Sequence, residues 1–130
     1  MLYESEIDTH LHVHTIKLST LYDSAGTSDN ALNIMRNTYK GTSWHTAGVD
    51  VHHAMLGTPL GGGIAYVGVL CNPDSGFGVT GDMSGGFASL NQQAVWDLVA
   101  FMHELGHQFN SGHTHDPGSY SVSKYLHLLF

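Results

Sequence analysis

The chain has 130 residues, a formal net charge of −7 and a hydrophobic fraction of 42%, a composition typical of one globular domain. Only four residues are Lys or Arg, and so sparse a set cannot form the basic surface that nucleic acid requires. No apolar run approaches the roughly eighteen residues of a membrane-spanning helix. We therefore expect a single domain over residues 1–130, without a nucleic-acid partner or a membrane segment. The oligomeric state is left open.

Alternation and helical spacing predict three elements in the first half of the chain. "THLHVHTIKL" (9–18) alternates in the manner of a strand. "TSDNALNIMRNTYKG" predicts a helix with Ser28 or Asp29 as its N-terminal cap and Gly41 as its stop, with apolar residues at helical spacing. "GVDVHHAML" (48–56) then reads as a second strand, followed by the turn-rich "GTPLGGG".

The second half predicts a short apolar strand and a long helix. "IAYVGVL" (64–70) is β-branched and strand-like, "CNPDSGFGVTGDMSGG" (71–86) is predicted to be a long loop, and "FASL" (87–90) is a possible short strand. Residues 91–109 change to helical periodicity, with one broad apolar face. We also expect three apolar side chains of this helix in the core: Trp96, Phe101 and Met102. The order of elements predicts an α/β or α+β fold.

The stretch "FMHELGHQFNSGHTHD" (101–116) carries the strongest chemical signal. His103 and His107 are four apart on the final helix, so their rings lie on one face about 5–6 Å apart. That spacing suits two imidazoles that bind one zinc ion. Glu104 lies beside the ion's open position, where it can take a proton from metal-bound water rather than act as a ligand.

A third nitrogen ligand requires the helix to end near Phe109. Asn110 stands where a left-handed residue is needed, and Asn tolerates that conformation better than most residues. Ser111 and Gly112 then allow the chain to turn so that His113 reaches the ion. His115 and Asp116 are expected to be solvated loop residues; a fourth or substitute ligand from this pair is the alternative.

Other histidines have less specific interpretations. His10, His12 and His14 could chelate a metal from one strand face, but an exposed or half-buried strand face is the simpler expectation. His52 and His53 point to opposite faces of their strand, so at most one could join a site. Core or hydrogen-bonded histidines are the expectation there. Gly61–Gly63 lack the Lys-Ser/Thr of a phosphate-binding loop and are interpreted as the entry to the following strand.

"HELGHQFNSGH" resembles the zinc motif of the metzincin proteases, with Asn110 in place of the motif's glycine. "GGGIAYVGVLCNP" and "GVDVHHAMLG" are similar to the substrate-binding edge strand and the preceding strand of the reprolysin (adamalysin) branch. The resemblance covers about residues 3–116. It implies a twisted mixed sheet with an edge substrate strand, one backing helix and one long active-site helix.

The resemblance further implies a zinc-dependent metalloendopeptidase that acts on peptides or proteins. His103, His107 and His113 would bind Zn²⁺, and Glu104 would be the general base that activates zinc-bound water. A peptide would bind antiparallel along the edge strand, which covers Ile64, Ala65, Tyr66, Val67 and Gly68. Secretion is implied by the resemblance alone, because no signal peptide is visible in the sequence.

The chain also departs from the family. No methionine follows Met102, whereas metzincins carry a methionine turn downstream of the third histidine. Thr114 stands where adamalysins have Asp, and the cysteine with which a counterpart of Cys71 would pair is absent. We therefore expect an incomplete catalytic domain. The alternative function is a non-catalytic zinc-binding remnant that lacks the methionine turn and the pocket wall.

Overall fold

The computed structural model describes residues 10–42, 48–85 and 96–113. These ranges contain two helices, α1 (Ser28–Tyr39) and α2 (Trp96–Gln108). They also contain three strands: β1 (His52–Met55), β2 (Gly63–Ala65) and β3 (Phe77–Thr80). The fold is α+β, as the sequence predicts. No helix within the described ranges is long and apolar enough to cross a membrane.

Helix α1 forms where the periodicity predicts it, but its cap lies one residue earlier. The side chain of Thr27 accepts the N–H of Asn30 at 3.3 Å, which satisfies one of the free donors of the first turn. The buried face consists of Ala31, Leu32, Met35 and Tyr39. This face belongs to the hydrophobic core that also contains Phe77 and Val79 of β3.

The three strands form one mixed sheet in the order β1-β3-β2. β1 runs parallel to β3, and β2 runs antiparallel to it, with Ile64 opposite Val79. The central strand β3 lies inside the stretch 71–86, so the prediction of a long loop there is wrong. Its four residues "FGVT" are too short and too rich in small residues for a strand pattern, and only burial on both faces shows their role.

The two faces of β3 pack against different helices. Phe77 and Val79 contribute to the core with α1. Gly78 and Thr80, which alternate with them, lie on the side of α2. A Cβ at Gly78 would lie 2.8 Å from Nδ1 of His53 and 3.0 Å from Oε1 of Gln108, so glycine is required for this close packing. The sheet therefore lies between the two helices.

A polar network joins α2 to the sheet. His53 Nδ1 lies 3.0 Å from Gln108 Oε1, and His53 Nε2 lies 2.8 Å from Thr80 Oγ1. Gln108, which is fully buried, also donates to the carbonyl of His52 at 3.4 Å. Burial lowers the pKa of His53 to about 4, so the ring is neutral at physiological pH. His52 is buried and His53 is half-buried and hydrogen-bonded, which agrees with the expectation of core or hydrogen-bonded histidines.

Helix α2 does not bury the apolar face that its periodicity suggests. Trp96 is 56% exposed and Leu98 is 47% exposed, so the prediction that Trp96 lies in the core is wrong. Phe101 and Met102 are half-buried. The buried face instead includes Asp97, whose carboxylate accepts the backbone N–H of Ser84 at 3.0 Å. Hydrogen bonds to the sheet and to the segment after it compensate for the burial of these polar groups.

The predicted first strand is not formed. Residues 10–18 adopt neither helix nor strand, and Val13, Ile16 and Leu18 are 70%, 81% and 94% exposed. Alternation supplies two faces, but a strand also needs a neighbouring strand with which to exchange hydrogen bonds. Among the described residues, no such neighbour pairs with this segment. The predicted strand "FASL" and the first residues of the predicted final helix, 91–95, lie outside the described residues.

Candidate metal centre and adjoining cleft

Three histidine side chains converge at the C-terminal end of α2. The Nε2 atoms of His103 and His107 are 3.0 Å apart, and the Nε2 of His113 lies 3.1 Å from each of them. These separations allow all three nitrogens to lie about 2.0–2.1 Å from one common ion. Within the described ranges, this is the one group of three or more metal-ligating residues that could hold an ion.

The hydrogen bonding of His107 favours a cation at this point. Its Nδ1 lies 2.6 Å from the carbonyl oxygen of Ser111, which can only accept, so Nδ1 carries the hydrogen. In the neutral ring, Nε2 is then left with a lone pair directed at the other two rings. Burial lowers the pKa of His103, and the neighbouring His107 and His113 lower it further. Three imidazole nitrogens that face one another form a donor set that suits zinc.

The turn after α2 brings His113 to the other two histidines. Asn110 has φ 73°, the left-handed conformation that the sequence predicts at this position. Its N–H donates to the carbonyl of His107 at 2.9 Å, and the N–H of Ser111 donates to the carbonyl of Gly106 at 2.9 Å. These bonds close the helix end and reverse the chain, so that two residues later His113 returns to the face of α2.

Glu104 is a buried acid next to the histidines. Only 7% of its surface is exposed, and this burial raises the pKa of its carboxyl group to about 7. Its side chain packs against the backbone of Gly63, the first residue of β2. A carboxyl group that is close to half ionised at neutral pH can both accept and return a proton.

A cleft separates the three converging histidines from β2. Its lining contains the three histidines, Glu104 and Gly112 on one side, and Gly63, Ile64, Ala65 and Val67 on the other. The described residues contain no strand on the outer edge of β2, which ends the sheet order. Main-chain groups at that edge are thus placed beside the cleft.

The predicted edge strand is shorter than residues 64–70 suggest. It ends at Ala65, although the N–H of Tyr66 still lies 3.4 Å from the carbonyl of Phe77. Of the five predicted substrate-binding residues, Ile64, Ala65 and Val67 line the cleft. Tyr66 instead packs against the hydrophobic core.

Gly68, the fifth residue, joins β2 to the end of α2. Its N–H donates to the carbonyl of His107 at 2.9 Å, and the N–H of Val69 donates to the carbonyl of Gln108 at 3.0 Å. These bonds satisfy helix-terminal carbonyls and draw the chain away from the sheet, which explains the short strand. A Cβ at Gly68 would lie 2.7 Å from Oδ1 of Asn110, and its φ is 67°.

Sequence reasoning did not identify Gly63 and Gly112 as members of this cleft. Their signal is weak, because the sequence has 16 glycines and only tertiary packing shows which ones approach a functional side chain. Within the described ranges, His10, His12 and His14 join no group of three or more metal-ligating residues, and all three are exposed. His115 and Asp116 lie outside the described residues.

Comparison with known families agrees with this geometry. The family model described as "Metallo-peptidase family M12B Reprolysin-like" matches residues 1–114, which is most of the chain. The chain therefore belongs to the reprolysin-like metallopeptidases. A search of curated protein sequences finds no significant match.

Proposed function

We propose that the chain is the catalytic core of a zinc-dependent metalloendopeptidase. His103, His107 and His113 would hold the zinc ion, and Glu104 would be the general base. The observation that supports this most directly is the convergence of three Nε2 atoms within 3.1 Å, next to a buried carboxyl group. Membership of a metallopeptidase family makes peptides or proteins the substrate class.

Each part of the cleft has a separate task. Zinc, when bound, would supply a Lewis acid that polarises the scissile carbonyl and makes water more acidic. Glu104 would accept a proton from the attacking water at a carboxylate oxygen and later give it to the leaving amine. A pKa of about 7 keeps both protonation states accessible near neutral pH.

The outer edge of β2 would orient the substrate. A peptide that adds antiparallel to β2 would form main-chain hydrogen bonds with little dependence on sequence. Ile64, Ala65 and Val67 line the cleft and would lie closest to such a peptide. Tyr66 and Gly68 would act indirectly, one through the core and the other through the carbonyl of His107. Secretion stays a prediction from the resemblance.

The decisive experiment compares the chain with Glu104→Gln. Cleavage of quenched peptides and zinc content would be measured for both, with and without a chelator. We expect cleavage that the chelator abolishes, and a loss of about a hundredfold or more in Glu104→Gln with zinc content unchanged. Asp29→Asn makes the same change on the exposed first turn of α1 and serves as the matched control.

Two outcomes would oppose the proposal in different ways. Full cleavage by Glu104→Gln would exclude this residue as the base. Stoichiometric zinc binding without any chelator-sensitive cleavage would instead identify the alternative function, a non-catalytic zinc-binding remnant.

A further inference from the structure

The carboxylate of Asp82 binds backbone amides of the segment that leads into β2. Its Oδ2 accepts the N–H of Gly62 at 2.6 Å and lies 3.4 Å from the backbone nitrogen of Leu60. Gly62 immediately precedes Gly63, the first residue of β2. Hydrogen bonds to an ionised acceptor are stronger than those between neutral groups. The entry to β2 is therefore held by a side chain from the segment that directly follows β3.

Backbone hydrogen bonds also hold the two segments together, and one of them is made at Gly62 itself. The N–H of Asp82 donates to the carbonyl of Thr58 at 3.1 Å, and the N–H of Gly81 donates to the carbonyl of Gly62 at 3.2 Å. Gly61 and Gly62 have φ of 77° and 111°, which lie outside the range that most residues favour. A run of three glycines has a large conformational entropy to lose, so an anchor at this point has a large effect on its position.

The same segment is also fixed to α2. Ser84, two residues after Asp82, donates its backbone N–H to Oδ1 of Asp97 at 3.0 Å. Asp97 is fully buried in the first turn of α2, the helix that carries Glu104. Asp82 thus belongs to a segment with one attachment to the entry of β2 and another to the helix on the other side of the cleft.

The position of the entry to β2 directly affects Gly63. This residue packs against the Glu104 side chain, and the next residue, Ile64, pairs with Val79 and lines the cleft. A shift of the entry by a few tenths of an ångström would change both the packing of Glu104 and the direction of the β2 edge.

We propose that Asp82 is a positioning residue that fixes β2 relative to Glu104 and so aligns a peptide bound along β2. Its effect on catalysis rests on the proposed peptidase function, whereas its effect on β2 does not. Asp82 does not line the cleft. It acts through the amides of Leu60 and Gly62.

Two substitutions at position 82 separate the effect of losing the carboxylate from the effect of changing the backbone conformation. Asp82 has φ 57°, which Gly and Asn both tolerate. Asp82→Gly keeps this conformation and removes the acceptor, whereas Asp82→Asn keeps the conformation and one oxygen acceptor. Asp23→Gly makes the matched change in the exposed turn before α1 and serves as the control.

The first measurement is amide hydrogen exchange over residues 60–65, with circular dichroism to confirm that each variant is folded. We expect exchange in Asp82→Gly to be about tenfold faster or more, since an amide loses a charged acceptor. The exchange rates of Asp82→Asn should remain within about threefold of those of the unsubstituted chain, and the rates of Asp23→Gly should equal those of the unsubstituted chain. The proposal would be overturned if amides 60–65 of Asp82→Gly exchanged at the same rate as those of the unsubstituted chain. Complete unfolding of that variant would also overturn it, because the role of Asp82 would then be purely structural.

The second measurement is steady-state cleavage of a peptide long enough to lie along β2. We expect Asp82→Gly to raise KM about tenfold with a smaller change in kcat and unchanged zinc content, and Asp82→Asn to restore most of the loss. A fall in kcat at unchanged KM would overturn the alignment role. If the unchanged chain cleaves no peptide, the proposed function fails, and the exchange measurement still decides the role of Asp82.

Discussion

The backbone of Gly63 lies so close to the side chain of Glu104 that no other residue type fits at position 63 without a shift. A Cβ there would come within 2.5 Å of Cγ and 2.8 Å of Oε1 of Glu104. The first residue of the edge strand therefore helps to determine where the acid group lies. It also helps to bury that group, and burial is the cause of its raised pKa.

Gly63→Ala should lower peptide cleavage strongly while zinc binding persists. The added methyl group must displace the Glu104 carboxyl group or β2, and a misplaced base can reduce the rate by about a hundredfold. The measurement is kcat/KM together with the zinc content. Gly57→Ala is the matched control, because a Cβ there meets only the carbonyl of Met83 at an ordinary 3.4 Å. Equal activity of the two variants would show that the close approach has no functional role.

Gly68→Ala should destabilise the fold more than Gly26→Ala. Both glycines have φ near 70°, so an alanine at either position costs about 1–2 kcal/mol. Only Gly68 has a close neighbour, Oδ1 of Asn110, and the crowding there should cost about 1–3 kcal/mol more. Urea denaturation gives both free energies of unfolding. Similar values would mean that the contact with Asn110 relaxes without cost.

His53 should make the fold less stable at mildly acidic pH. Its folded pKa of about 4 lies below the ordinary histidine value of 6.5, so the unfolded chain binds an extra proton between these values. Stability contributed by the neutral ring is therefore present above pH 6.5 and is lost as the pH falls towards 4. Between pH 7 and pH 5 the loss amounts to about 2 kcal/mol.

His53→Gln tests this dependence, because the amide side chain does not titrate. The free energy of unfolding of both chains would be measured at pH 7 and pH 5. We expect the difference between the two pH values to be smaller by about 2 kcal/mol in the variant. An unchanged difference would show that His53 is not the source.

Zinc should stabilise the folded chain, since three converging nitrogens exist only in the native state. At a free zinc concentration of about a hundred times Kd, the expected gain is about 2.7 kcal/mol. His113→Ala should lose most of this gain, whereas His14→Ala, in the exposed N-terminal segment, should keep it. The measurement is the zinc-dependent shift of the thermal midpoint. A chain that zinc does not stabilise would contradict the assignment of the metal ligands.

The predictions from sequence succeed where a local rule is sufficient. The spacing of His103 and His107 on a helix, and the left-handed Asn110 after it, depend on a few consecutive residues. Helix α1 is likewise a matter of periodicity and a nearby cap. The rules fail for β3, whose short and glycine-rich sequence becomes a central strand only because other elements cover both of its faces.

The buried face of α2 is a second feature that local sequence rules do not predict, and the reason is energetic. Its apolar residues favour a different buried face from the observed one, because a sequence pattern does not reveal that Asp97, Glu104 and Gln108 are buried together. Gln108 and Asp97 have hydrogen-bond partners far away in the chain, at His53 and Ser84. Those partners offset the cost of burying polar groups. No pattern within the helix contains that information.

By itself, the sequence indicated the class of protein through its resemblance to the metzincin motif. It also supplied the metal-ligating candidates, because the spacing of His103 and His107 on a helix follows from covalent geometry and 3.6 residues per turn. Only the tertiary structure decided which backbone approaches Glu104, which strand lies at the centre of the sheet and which side chain anchors the entry to β2. These features depend on contacts between residues that are distant in sequence, such as Asp82 and Gly62. Burial and close packing arise only after such contacts form.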